Sequence, residues 1–282
     1  MLPFLLIFVT FHIIPIFFAV QESLFRQQSS GLGLGESVRQ FVGLGNYTRA
    51  FGDSTLYAAG GRVLLYGVVQ VPIMLFLALG MALAFDSALV HARQFLQVVA
   101  FLPYAIPGVI GAILWAFLYV PGISPIVSLL QDIGAPSDFL SPRAVLWSIA
   151  NVSTWQWTGY NMIIIFAALQ ALPRDIFEAA RVDGAGAWRV AWSIKIPLVL
   201  PAILLTALFS IIGTLQLFSE PLVLKTLTGN VTYNYTPNMM VYNLAFGTND
   251  TGYASAVSVV IAAVTFIASI VVLRLLQKRG SQ

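Results

Sequence analysis

Residues 172 to 197 read Leu172-Pro173-Arg174-Asp175-Ile176-Phe177-Glu178-Ala179-Ala180-Arg181-Val182-Asp183-Gly184-Ala185-Gly186-Ala187-Trp188-Arg189-Val190-Ala191-Trp192-Ser193-Ile194-Lys195-Ile196-Pro197. Long apolar stretches lie on both sides, so this charged passage reads as a loop between two of them. Pro173 suits a helix start, and Asp175 and Glu178 suit the positive N-terminal end of that helix. Ile176, Ala179, Ala180 and Asp183 fall close together on one or two faces. Gly184 and Gly186 stop the helix, and Pro197 opens the next apolar span. The expectation is a short amphipathic helix lying across a membrane face, tipped by alanine and glycine. Small residues let another backbone approach closely, as a docking knob for a second protein requires. The plainer alternative is a surface helix that links two spans and whose charges are merely solvated.

Outward from this loop, six stretches reach the roughly 20 apolar residues that a bilayer core of about 30 Å demands. They are 2–20, 63–85, 95–120, 145–172, 198–218 and 253–276. Of the 282 residues, 59% are hydrophobic and 9% are Asp, Glu, Lys or Arg. Soluble domains carry roughly a quarter charged residues, so lipid must supply much of this chain's solvent. The expected fold is an all-α integral membrane protein with about six transmembrane helices in one transmembrane domain, 1–282. Its first outer loop is 21–62 and its charged loop is 173–196. The first segment lacks a basic leader and a small-residue cleavage site, and is read as a retained helix rather than a signal peptide. Pro15, Pro72, Pro103 and Pro107 fall inside spans and mark kinks, which neighbouring helices can re-satisfy.

Basic residues set the orientation. With the N-terminus in the cytoplasm, the inner segments hold Arg93, Arg174, Arg181, Arg189, Lys195, Arg274, Lys278 and Arg279. The outer segments hold Arg26, Arg39, Arg49, Arg62, Arg143 and Lys225, in more than twice the length. Density therefore puts both termini and the charged loop in the cytoplasm.

Several chemistries find no support. Cysteine is absent, so there is no disulfide framework or thiolate metal site. The net charge of +3 and the lack of long like-charge runs argue against a nucleic-acid partner. Gly31, Gly33 and Gly35, followed by Glu36 and Ser37, lack the Lys-Ser or Lys-Thr of a phosphate loop and read as a flexible turn. His12 and His91 lie far apart and read as structural or solvated. The Asn-x-Ser/Thr triplets at Asn46, Asn151, Asn230 and Asn234 carry little meaning, since Asn151 falls inside a predicted helix. No constellation of nucleophile, base or metal ligands points to an enzyme. An ion-coupled secondary transporter is the alternative from another class, but such proteins usually place ionisable groups within their spans.

The loop resembles the EAA signature of ABC importer permeases. Glu178, Ala179, Ala180, Gly184, Ile194 and Pro197 match it, and Ile196 stands where the family usually has Leu. Three further stretches are similar to the MalF-like sugar permeases: Phe41-Val42-Gly43-Leu44-Gly45-Asn46-Tyr47, Leu102-Pro103-Tyr104-Ala105-Ile106-Pro107 and Ala168-Leu169-Gln170-Ala171-Leu172-Pro173. The resemblance implies a type I ABC importer permease (MetI-like) fold in a bacterial or archaeal cytoplasmic membrane. It also implies a second, MalG-like permease subunit, two copies of an ABC ATPase, and an extracytoplasmic solute-binding protein. ATP and Mg would lie on the ATPase subunits, with no cofactor bound by this chain. Glu178, Ala179, Ala180, Asp183 and Gly184 would form the part that couples to the ATPase.

A solute path needs polar and aromatic groups inside otherwise apolar spans. The fourth span is densest in them: Asn151, Ser153, Thr154, Trp155, Gln156, Trp157, Thr158, Tyr160 and Asn161. Rings offer apolar faces to C–H patches of a sugar, and amides serve its hydroxyls. An aromatic belt at the outer interface is the competing account. By position in the resembling motifs, path-lining residues are Tyr104, Ser153, Gln156, Trp157, Tyr160, Ser210 and Thr214, with Gln216 nearby; Gly108 stands where some relatives are polar. No charged residue sits mid-span in these helices, which favours a neutral sugar or polyol. A glycerol-3-phosphate-type cargo is the nearest alternative, since the second permease can supply positive charge.

Overall fold

The computed structural model describes residues 2–28, 38–87 and 90–280, with the side chains of 275–280 outside that description. Gly31, Gly33, Gly35, Glu36 and Ser37 lie outside the described residues. In chain order come α1 (Leu2–Phe8) and α2 (Ile14–Glu22), joined by a π-helical turn over Val9–Ile13. A hairpin of β1 (Phe25–Gln28) and β2 (Val38–Phe41) follows, then α3 (Gly45–Gly52) and the 33-residue α4 (Ser54–Asp86). Next are α5 (Arg93–Ala105), α6 (Gly108–Tyr119), α7 (Pro125–Asp132) and α8 (Val145–Gln170). The charged loop holds α9 (Arg174–Val182) and α10 (Ala187–Val190) and leads through a second π-helical turn, Ala191–Lys195, into α11 (Ile196–Leu215). The chain closes with α12 (Ser219–Leu224), α13 (Pro237–Tyr242) and α14 (Thr251–Gly280).

Four helical stretches among the described residues are long and apolar enough to cross a membrane: Leu2–Glu22, Ser54–Asp86, Ala187–Leu224 and Thr251–Arg274. The expected single span over 95–120 is instead a broken pair, α5 and α6, bent by 97°. Pro107 causes the break. A residue before proline is pushed out of the helical region, and Ile106 is extended at φ −82° and ψ 129°. Counted as one span, the pair makes five. The remaining expected span is α8. Its 26 residues rise about 39 Å at 1.5 Å each, ample for a bilayer, yet its amides and hydroxyls leave it less apolar than the others.

The chain divides into two compact units. One comprises Met1–Leu64, Gln216–Phe218 and Thr232–Ala268. The hairpin pairs Phe25 with Phe41 and Arg26 with Gln40 in antiparallel register. Gly43 turns the chain with a left-handed φ of +54°. Asn46, fully buried, then donates from Nδ2 to the carbonyls of Ser23 (2.9 Å) and Phe25 (2.8 Å). The stretch from Phe41 to Tyr47 is therefore a device that ties the hairpin to α3, and Asn46 is no exposed acceptor site. Asp53 begins α4 by accepting the Thr55 amide at 2.8 Å, and the Tyr253 hydroxyl donates to its other oxygen at 2.7 Å. Burial alone would raise the Asp53 carboxyl, but these hydrogen bonds outweigh it and hold the group below its usual range. Ala50, Met240, Tyr253 and Val257 form the core of this unit.

The second unit comprises Leu65–Leu215, Ser219–Val231 and Ser269–Gln282. Its core joins Ala78, Ala82 and Phe85 of α4 to Met162, Ile165 and Leu169 of α8 and to Val199 of α11. α8 lies at its centre, with Ser148, Ser153, Gln156, Thr158 and Asn161 all buried. The approach of α5 to α8 is set by Gly159: a Cβ there would lie 1.8 Å from the Ala100 carbonyl oxygen. Gly159→Ala must push α5 away, and overpacking of this kind costs about 1–3 kcal/mol or more. Gly80→Ala meets nothing within 4 Å and should gain about 0.5–1 kcal/mol. Thermal unfolding of the purified chain in detergent should rank them in that order; equal stability would contradict the close approach.

Candidate functional site

The charged loop folds as a helix with a defined end. α9 starts directly after Pro173, with Asp175 in its first turn and Arg181 in its last, both matching the helix dipole. Its C-terminus is a Schellman motif. The Ala185 amide donates to the Ala180 carbonyl (2.9 Å) and the Gly184 amide to the Arg181 carbonyl (3.0 Å). Gly184 sits between them at φ +81°, while a Cβ on it would meet nothing within 4 Å. Within this chain the constraint on Gly184 is thus its backbone angle rather than space. Glu178, Ala179, Asp183 and Gly184 are exposed, and Ala180 is partly buried. Val182 is 88% exposed, an apolar side chain on an open face beside two small residues.

The second assembly is on α8 and the end of α5. Tyr104 stacks on Tyr160 with ring centroids 4.6 Å apart and meets Trp157 edge-on at 5.3 Å. Trp157 and Tyr160 are 6.0 Å apart. The structure thus brings three of the residues expected on the path into one cluster, and Trp157 keeps 41% of its surface open. Spacing along α8 explains the geometry: Trp157 and Tyr160 are three apart and share a face, and the break at Ile106 ends α5 beside them.

Of the remaining expected path residues, Gln156, Ser153 and Thr214 have neighbours within the chain that hold them. Gln156 is buried and donates from Nε2 to the Ile106 carbonyl at 3.0 Å, the backbone group released by the α5–α6 break. Gly108 and Gly111 lie against it: a Cβ on either would reach its amide at 3.6 to 3.7 Å, an ordinary contact. Ser153 donates to Glu220 Oε1 at 3.0 Å. Thr214 is buried against Gly67, where a Cβ would meet its methyl at 2.6 Å. Ser210 is partly buried on α11.

Two carboxylates stand out that the sequence reading did not select. Glu220 is buried on α12 with Ser153 as its partner. A carboxylate so close to apolar spans was visible in the sequence, but its partner 67 residues away was not. Asp86 ends α4 and binds Gln170 and Lys195. Its signal was an acid at a helix C-terminus, where the dipole disfavours it. His12 stacks on Phe8 at 5.1 Å, and His91 is exposed. Among the described residues no three His, Asp or Glu side chains gather as a metal site.

The sequence family described as binding-protein-dependent transport system inner membrane component matches residues 77–280. The chain is 34% identical over 237 residues to the lactose transport system permease protein LacF of Rhizobium radiobacter, covering 82% of this chain and 79% of that one. It is 26% identical over 288 residues to the sn-glycerol-3-phosphate transport system permease protein UgpA of Agrobacterium fabrum, covering 99% and 95%. Among solved structures, a chain of a bacterial ABC transporter involved in import of the acidic polysaccharide alginate superposes with a TM-score of 0.82 at 20% identity, covering 98% and 93%. The last of these shows the fold.

The Schellman cap gives a direct test at Gly184. A left-handed residue with a Cβ costs about 1–2 kcal/mol, and Asn tolerates the conformation better than a branched residue. Gly184→Val should therefore speed hydrogen exchange of the Ala185 amide, and Gly184→Asn should leave it largely protected. Equal exchange in both variants would show that the cap is not what holds this turn.

Proposed function

This chain belongs to the binding-protein-dependent transport system inner membrane components, and on that premise we propose that it carries a sugar or related neutral solute past Tyr104, Trp157 and Tyr160. It is a transmembrane permease subunit of an ABC importer, and in this family ATP hydrolysis is the work of separate ATPase subunits. The observation that carries the cargo reading is the ring cluster. Three rings converge on a polar helix, one side of Trp157 stays open on this chain, and aromatic faces are suited to the C–H patches of a sugar. An interfacial belt would need no such convergence.

A relative carries a lactose transport name, which supports a saccharide, and another a glycerol-3-phosphate name. Positive charge for a phosphate would have to come from a second, MalG-like permease, which in this reading completes the path.

In the same reading, α9 docks into an ATPase subunit through Glu178, Ala179, Ala180, Asp183 and Gly184. Two copies of the ATPase bind ATP and Mg, one for each permease. The exposed small residues and the open Val182 support this assignment. An extracytoplasmic protein delivers the solute; an alginate transporter of the same fold is described in complex with a pentasaccharide-bound periplasmic protein. The density of basic residues supports cytoplasmic termini and a cytoplasmic α9.

Uptake into vesicles containing the purified complex, with the binding protein supplied outside, tests the cargo assignment. An aromatic contact is worth about 0.5–1.5 kcal/mol beyond its area, so Tyr160→Ala and Trp157→Ala should each lower uptake several-fold. Both should leave solute binding to the external protein unchanged. Ile164→Ala is the control on another part of α8. Equal loss in the control, or no loss in either ring variant, would reduce the cluster to an interfacial belt.

A further inference from the structure

The excursion that carries α9 starts and finishes on a single carboxylate. Gln170, the last residue of α8, donates from Nε2 to Asp86 Oδ1 at 2.7 Å. Lys195, the residue before α11, forms an ion pair with Asp86 Oδ2. The two oxygens of one side chain thus hold both ends of 171–194, and that side chain is the last residue of α4. Lys195 also places its ammonium 5.2 Å from the centroid of Phe177, on α9 itself. One cation therefore touches the base of the loop and the helix at its tip.

The placement runs against local preference, which marks it as a tertiary arrangement. An acid at a helix C-terminus faces the negative end of the dipole, and the last turn of α4 holds no basic residue to offset it. The compensation comes from Lys195, 109 residues away. The pair is shielded, with side-chain exposures of 18% for Lys195 and 14% for Asp86. Shielding makes a pair far more sensitive to loss of one partner than an exposed pair is. Lys195 also closes the π-helical turn Ala191–Lys195, a kind of turn that recurs at functional sites.

We propose that Asp86 is a positioning residue that clamps the base of the coupling loop, so that α9 moves as a rigid lever on α4, α8 and α11. With both ends fastened, displacement of α9 must pass into the three spans. Released from the clamp, the loop bends at Leu172–Pro173 and at Ala185–Gly186 and absorbs the displacement. The proposal rests on α9 being the ATPase-docking helix.

The test compares solute imported per ATP hydrolysed in the reconstituted complex for the unmodified chain, Asp86→Asn, Lys195→Met and the reversed pair Asp86→Lys with Lys195→Asp. Both single variants should copurify with the ATPase and hydrolyse ATP. Their import per ATP should fall roughly 2- to 30-fold, the range for mutations along a coupling route. The reversed pair should recover most of that loss. Unchanged import per ATP in Asp86→Asn, or no recovery in the reversed pair, overturns the proposal. Loss of ATPase copurification in the single variants overturns it too, because Asp86 would then serve docking or folding rather than transmission. Failure of the unmodified chain to copurify would instead sink the docking assignment of α9, and the clamp with it.

Discussion

Hydrocarbon cannot solvate an amide or a hydroxyl, and α8 carries Ser148, Ser153, Gln156, Thr158 and Asn161 through a length that suits a bilayer. Other helices must therefore enclose it, and much of the second unit follows from that need. Gly159 lets the backbone of α5 come close enough to cover one face. The broken α5–α6 pair turns a backbone carbonyl toward Gln156, so an amide that lipid would not tolerate finds an acceptor, and the Ile106 carbonyl left open at the break finds a donor. Ser153 and Glu220 satisfy one another in the same way. On α8 itself Trp157 keeps 41% of its surface open, as does Trp147 nearer the helix start.

The same helix connects the two candidate sites. Tyr160 lies ten residues before Gln170 on one uninterrupted helix, a rise of about 15 Å. Trp157 and Tyr160 of α8 belong to the ring cluster, and at its end the helix is fastened to Asp86 together with the far side of the charged loop. α9 is small, capped by Gly184 and open on its outer face. An element of this build suits transmission, since its internal geometry is fixed and its motion has few places to dissipate.

Local elements of the sequence read well. Pro173, Asp175 and Gly184 located α9 to within a residue because caps, dipoles and left-handed turns act over a few positions. The apolar stretches located the spans for the same reason. Tertiary facts were less legible. Pro107 announced a kink in the third span, but a bend of 97° depends on neighbours that accept it. Gln156 reads from the sequence as a path residue, since an amide in a span has no local partner; its place in the fold was not legible. Its partner, Ile106, is 50 residues away. Thr214 likewise has a neighbour, Gly67, that no local pattern announces. Asp86 and Glu220 escaped notice because a single acid at a span end gains its meaning only from Lys195 or Ser153, which the fold brings to it.

Because the chain contains no cysteine, a cysteine scan along α8 with a water-soluble thiol reagent tests most directly whether an enclosed polar helix opens one aromatic face to a path. The account predicts labelling at 157 and 160 in the assembled complex, slowed by solute in transit. It predicts protection at 152, 162 and 165, which are fully buried. Uniform labelling around the helix, or none at 157 and 160, would contradict it.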